Sequence, residues 1–184
     1  MALLRFLRGE PGQGPGASDS AGPSAERDAA ETATIRKIAA ELEAMDPARA
    51  AYLAAFAYIL SRVAYADLHI SDDETSAIEG IVREWGHLPE AQAVLVVEIA
   101  KSQARLEGAT EDYLVTRRFR EMSTAEQREE LLHSLYAVAT AAGGLVTAEE
   151  SHEIRQISEE LGFTRPELNV VRRHYAEHLA ALQR

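Results

Sequence analysis

The chain has 184 residues, of which 46% are hydrophobic and 6% aromatic, and its formal net charge is −11. This charge argues against a nucleic-acid partner, whose phosphates it would repel. The lack of cysteine excludes disulfides, thiolate metal sites and cysteine nucleophiles. Few aromatic residues and many alanines favour packed helices over a sheet. The absence of cysteine also fits a cytoplasmic protein. No stretch has the roughly 18–20 apolar residues of a membrane span.

The N-terminal part of the chain differs in composition from the rest. Residues 1–8 are apolar and basic, which suits either weak tethering to a membrane surface or an unstructured terminus. Residues 9–25 are rich in glycine, proline and serine and predict a flexible linker. Residues 26–184 should form the folded domain.

The first half of this domain has the periodicity of helices. A first helix is expected after Ser24, and Asp46 followed by Pro47 predicts the start of a second, over about 47–66. Ser71 and Glu74 form a capping box at the start of the next helix, which Gly86 should end. Pro89 opens a fourth helix.

The second half shows the same order of signals. A helix is expected over about 111–122, and a capping box from Ser123 to Glu126 predicts the next one. After a turn at Gly143 and Gly144, Thr147 and Glu150 form another capping box, and Gly162 should end that helix. The last helix begins near residue 164.

The two halves are related by an internal repeat. Residues 65–74 align without a gap on residues 141–150, which lie 76 positions later, and residues 84–86 fall on residues 160–162 in the same register. Two long copies indicate a duplicated helical unit. We therefore predict an all-α fold of about eight helices in two four-helix units, over about 32–108 and 109–184.

The repeated segment resembles a known family. Residues 63–74 resemble the first signature of TerB-like domains, the tellurite-resistance family that is similar to the N-terminal domain of DjlA-type co-chaperones, and residues 139–150 resemble its second signature. The resemblance implies an all-helical duplicated fold, a bacterial stress system and acidic turns that bind metal. Leu68 stands where glycine is usual, and Gly143 stands where a second aspartate is expected. Asp67, Glu74 and Glu150 are the candidate metal ligands that remain.

The acidic turns allow two interpretations. Calcium, magnesium or zinc could be held by Asp67, Glu74 and Glu150, because divalent cations take carboxylate oxygens. Capping boxes and the helix dipole explain the same residues without a metal. An EF-hand loop is excluded, because Asp72 and Ile78 occupy the positions that need glycine and glutamate.

Other signatures of chemistry are weak. His174 and His178 are four residues apart and should share a helix face, yet no carboxylate joins them and surface histidines are the simpler interpretation. There is no nucleophile elbow, phosphate loop or dinucleotide fingerprint.

Together these features favour a non-enzymatic, cytoplasmic adaptor in the stress response, with no certain cofactor. Its acidic surface around the two turns would bind protein partners, among them membrane-associated stress proteins, and it would lie peripherally at the inner membrane when it is tethered there. The alternative is a module that binds or senses a divalent metal. A metal-dependent hydrolase using the same carboxylates is the third hypothesis.

Overall fold

The computed structural model describes residues 40, 44–68, 70–106, 109–141 and 144–179. The chain divides into two compact units, Met1–Met45 and Asp46–Arg184, and the helices given below all belong to the second. The predicted N-terminal peptide and linker, and nearly all of the first predicted helix, lie outside the described residues.

The described elements confirm the all-α fold. They are α1 (Pro47–Ala64), α2 (Asp72–Gly86), α3 (Glu90–Leu106), α4 (Ala109–Met122), α5 (Ala125–Ala141), α6 (Ala148–Glu160), α7 (Arg165–Arg173) and a 3₁₀ turn (Ala176–His178). Within the described ranges, no helix has both the length and the apolar character needed to cross a membrane.

Helix α1 lies at the centre of the packing. Asp46 caps it by accepting hydrogen bonds from the amides of Ala48 at 3.1 Å and Arg49 at 3.0 Å. Every residue from 55 to 64 is buried, and the helix packs against α2, α3, α4, α5 and α6. Because neighbours pack on several sides of this helix, it is apolar around most of its circumference. Its alanines let those neighbours approach closely.

The internal repeat is visible in the order of the helices. With the offset of 76 residues, α1 corresponds to α5, α2 to α6, and α3 to α7 with the 3₁₀ turn that follows it. The helix that would correspond to α4 falls near residues 33–46, largely outside the described residues. The duplication therefore accounts for three pairs of elements.

Helix α2 ends at Gly86 as predicted, but two predicted caps are wrong by one residue. The C-cap of α2 is His87, which takes the left-handed conformation with φ of 47°, and not Gly86. Gly86 is required for packing instead, because a Cβ atom there would lie 2.8 Å from Leu88 Cγ. Before α5 the cap is Thr124 and not Ser123: the Thr124 amide donates to Gln127 Oε1 at 2.8 Å, and the Gln127 amide donates to Thr124 Oγ1 at 3.2 Å.

Candidate functional site

Both predicted capping boxes on the acidic turns are present. The Glu74 amide donates to Ser71 Oγ at 3.2 Å, and Glu74 Oε2 accepts from the Ser71 amide at 2.7 Å. In the second copy the Glu150 amide donates to Thr147 Oγ1 at 3.2 Å, and Glu150 Oε2 accepts from the Thr147 amide at 2.7 Å. Both glutamates are buried. Each therefore has a structural role as a cap of its helix.

The two turns lie close enough for their carboxylates to interact. Burial raises the pKa of Glu150 above its ordinary value, the hydrogen bonds from Thr147 oppose this, and the negative charges of Glu74 and Asp67 raise the pKa further. The fold thus brings the three predicted metal ligands into one region. Among the described side chains, however, no group of three or more histidines, aspartates or glutamates is arranged to hold a metal ion.

The outer surface of the turns combines acidic and apolar side chains. Leu68 is 75% exposed, and Leu145 in the second turn is 44% exposed. We call the exposed surface formed by both turns the turn face; its residues are Asp67, Leu68, Asp72, Asp73, Leu145 and Glu149. The turn face therefore exposes two leucines and four carboxylates.

The backbone of Leu68 is in a conformation that leucine rarely adopts. Its φ is 68°, close to the φ of 72° at Gly144, which is the equivalent position of the second copy. A side chain with a Cβ atom is strained in this region by roughly 1–2 kcal/mol. Leu68 therefore takes the place and the conformation of a turn glycine while exposing its side chain.

The second turn is held by the segment after α7. The Val146 amide donates to the His178 carbonyl at 2.7 Å, and His178 Nδ1 lies 2.7 Å from the Gly144 carbonyl oxygen. The expectation that His174 and His178 share a helix face is wrong, because α7 ends at Arg173. The His174 ring instead lies 5.6 Å from the ring of His133.

A buried ion-pair cluster is the main feature that the sequence did not predict. Arg62 on α1 donates from Nε to Glu153 Oε1 at 2.9 Å and from Nη1 to Glu160 Oε2 at 2.9 Å. Its Nη1 also donates to the Asp112 carbonyl at 3.1 Å and to Thr116 Oγ1, and its Nε lies 3.7 Å from Asp112 Oδ1. The arginine thereby links α1 to α4 and α6.

The pKa values of this cluster show that its charges are stabilised. Burial lowers the pKa of Arg62, but the hydrogen bond to Glu160 and the charges of Glu153, Glu160 and Asp112 outweigh it and raise the pKa above its ordinary value. Burial raises the pKa of Glu160, and the hydrogen bond and charge of Arg62 outweigh that effect and lower it. Both groups are therefore charged at neutral pH.

A cavity of about 180 Å³ adjoins the cluster and is lined by Arg62, Tyr65, Ala66, Ala104, Asp112 and Glu153. One sequence signal could have found it: Arg62 is the only charged residue between positions 50 and 66. A lone charge in an apolar helix requires a buried partner. The partners themselves are 50 to 98 residues away in sequence and have no local signature.

The chain matches no curated protein and no solved structure. It does match the family described as tellurite resistance protein TerB, over residues 53–173. This match covers about two thirds of the chain and includes both capping boxes, the turn face and the Arg62 cluster. Together with the duplicated all-helical fold, it shows that the chain belongs to the TerB family.

Proposed function

We propose that this TerB-family protein is a non-enzymatic adaptor that binds protein partners through the turn face. The observation that carries the proposal is Leu68, an exposed leucine held at a positive φ in an acidic turn. The exposed side chain contributes little to folding, and the strain in its backbone disfavours the folded state. A bound partner would cover the leucine and offset that loss.

The charges around Leu68 support a basic partner. Asp67, Asp72 and Asp73 are exposed on the first turn, and Glu149 is exposed on the second. Opposite charges across an interface raise the association rate and exclude partners of the wrong sign. We propose partners that present basic and apolar side chains together, in the bacterial cytoplasm and among membrane-associated proteins of a stress response.

A binding role also suits the buried charges. The carboxylates of Glu74 and Glu150 cap helices, and Arg62 is surrounded by acceptors. Groups held in this way stabilise a binding surface, whereas catalysis needs a group that can exchange protons or attack a substrate.

Site-specific photo-cross-linking in the producing cell tests the adaptor function. A benzophenone amino acid at position 68 should give a discrete protein adduct, and the same amino acid at the exposed position 114 should not. The protein in the adduct is identified, purified and titrated with the full chain. Leu68→Gly should weaken its binding at least tenfold and Leu114→Gly should not. Equal adducts at both positions, or equal affinities of both variants, would contradict the proposal.

Binding of a divalent cation is the second candidate function. The raised pKa of Glu150 favours it, because a cation near Asp67, Glu74 and Glu150 would relieve their mutual repulsion. After chelator treatment, the melting temperature is measured with calcium, magnesium or zinc. A cation that binds only the folded state at about 100 times its dissociation constant adds about 2.7 kcal/mol. A shift that Asp67→Ala abolishes would support a metal site, and unchanged melting with all three ions would rule it out.

A further inference from the structure

The turn face comes from two stretches of sequence without a lysine or arginine. Neither residue type occurs over residues 63–82, which contain the first turn, or over residues 129–154, which contain the second. The face itself exposes four carboxylates and two leucines. Its charge and its apolar side chains therefore suit a short segment that is both basic and apolar.

The chain carries a segment of this kind at its own N-terminus. Residues 1–8 contain Arg5 and Arg8 together with three leucines and a phenylalanine, and the first acidic residue of the sequence is Glu10. These eight residues thus have a positive charge in a chain whose formal net charge is −11. They lie outside the described residues, and they match the turn face in both charge and apolar character.

The segment is followed by residues 9–25, whose composition predicts a flexible linker. A linker of this length spans at most roughly 60 Å when it is fully extended. Its root-mean-square end-to-end distance is roughly 23 Å when it is flexible, which compares with about 27 Å for the length of α1, the longest of the described helices. A binding segment on such a linker has an effective concentration in the millimolar range.

We propose that residues 1–8 dock on the turn face of the same chain and compete there with the protein partner. The apolar side chains of the segment cover Leu68 and Leu145, while Arg5 and Arg8 pair with the carboxylates of the face. With a dissociation constant of about 0.1 mM and an effective concentration of about 1 mM, the segment occupies the face about 90% of the time and weakens the partner about tenfold. The inference rests on the proposed function, because it adds an autoinhibitory segment to the same surface.

A nitroxide label tests the contact directly. The chain has no cysteine, so Ala2→Cys provides a single site for the label. In the ¹⁵N-labelled full chain, the nitroxide should broaden the amide signals of Leu68 and Glu149 and leave that of Arg118, which is exposed on α4, unchanged. A mixture of ¹⁵N-labelled chain without nitroxide and unlabelled chain with nitroxide should show no broadening, because the contact forms within one chain. Absence of broadening at Leu68, or equal broadening at Leu68 and Arg118, would overturn the proposal.

Reversal of the charges tests what holds the segment in place. Arg5→Glu combined with Arg8→Glu should remove the broadening at Leu68, since the segment then carries the same charge as the face. The matched control is Arg117→Glu combined with Arg118→Glu, which changes the net charge equally at two exposed arginines of α4. This control should keep the broadening. Equal broadening at Leu68 in the two double variants would overturn the proposal.

A free peptide measures the competition without any partner. A dye-labelled peptide with the sequence of residues 1–8 is titrated with the full chain. The double variant Arg5→Glu and Arg8→Glu should bind this peptide about tenfold more tightly than wild type, because its own segment no longer competes. In that double variant, Leu68→Gly should weaken the peptide and Leu114→Gly should not. Equal affinity of wild type and double variant would overturn the proposal.

A membrane surface is the rival target of residues 1–8. The nitroxide experiment is repeated with vesicles of phosphatidylcholine and phosphatidylglycerol. A segment that leaves the Leu68 amide unchanged in solution and binds these vesicles is a membrane tether, and that result would overturn the docking on the turn face.

The two proposals fail in different experiments. In the cell, Arg5→Glu with Arg8→Glu should raise the yield of the adduct at position 68, because the partner then meets an unoccupied face. Equal yields with and without the charge reversal would remove the competition and leave the adaptor function intact. Absence of the adduct in both chains would remove the adaptor function, and the nitroxide experiment would still decide whether residues 1–8 contact the turn face.

Discussion

Leu68 and Gly144 form a natural comparison, because equivalent positions of the two copies share a left-handed backbone but not a residue type. Leu68→Gly should stabilise the fold by up to about 1.5 kcal/mol, since it removes a strain of roughly 1–2 kcal/mol and adds about 0.5–1 kcal/mol of chain entropy to the unfolded state. Gly144→Ala should destabilise by about 1 kcal/mol, although its Cβ atom would meet nothing within 4 Å. Urea unfolding measures both changes in the free energy of unfolding, provided that the m-value is the same for the variants and the wild type. A loss of stability in Leu68→Gly would show that the exposed Leu68 side chain makes stabilising contacts in the folded protein.

Glu150 should make folding stability depend on pH. Its pKa is raised in the folded state by burial, with Glu74 and Asp67 adding to the effect. A carboxyl group whose pKa is higher in the folded than in the unfolded protein stabilises the fold at pH values below its unfolded pKa of about 4.3. This stabilisation is lost as the pH rises through the folded pKa. Glu150→Gln keeps an acceptor for the Thr147 amide and should therefore be at least as stable as wild type at pH 7. The melting temperatures of both proteins are measured from pH 4 to pH 7. A melting temperature of Glu150→Gln that falls relative to that of wild type as the pH rises would contradict the prediction.

At the scale of the elements, Arg62 connects α1 with α4 and α6. Arg62→Met should destabilise the protein by about 3–5 kcal/mol, because it leaves three carboxylates facing each other. Arg117→Met removes an exposed pair with Glu121 and should cost less than about 1 kcal/mol. Urea unfolding at pH 7 compares the two. Similar losses would mean that the cluster contributes no more than a surface ion pair.

Lowering the pH offers a second test of the link that Arg62 makes between α1, α4 and α6. The pKa of Glu160 is depressed in the folded state by Arg62, against the effect of burial. A depressed pKa gives stability above the unfolded value of about 4.3 that is lost as the pH falls through the folded value. Wild type should therefore lose more stability than Arg62→Met between pH 5 and pH 3. Parallel pH profiles of the two proteins would contradict this.

Across the whole described structure, the two copies share one core. Phe56 on α1 packs against Phe119 on α4, with ring centroids 6.1 Å apart, and α1 contacts α5 and α6 as well. A chain of residues 109–184 lacks α1 and should show no cooperative unfolding by circular dichroism, whereas the full chain should. A sharp thermal transition of the half alone would show that the copies are independent folding units.

Local features of this fold were predictable and distant ones were not. The capping boxes at Ser71 and Thr147 could be predicted because the partners of each hydrogen bond are three residues apart. The cap at Thr124 was missed by one residue because Ser123 is an equally good N-cap by residue type. The cap at His87 was missed because glycine is the residue that usually takes the left-handed conformation there. The lone charge of Arg62 in an apolar helix indicates that a buried partner exists. Which residues pair with it depends on which helices pack together, so the partners and the cavity could not be predicted.

The link between Val146 and His178 has a further consequence. The Val146 amide lies in a turn between helices, yet its hydrogen is bonded to a carbonyl near the end of the described chain. Amide hydrogens in such turns normally exchange quickly with solvent, and this one should exchange slowly for as long as the 176–179 segment stays in place. The exchange rate at a single backbone position therefore reports whether the 176–179 segment is attached to the second acidic turn.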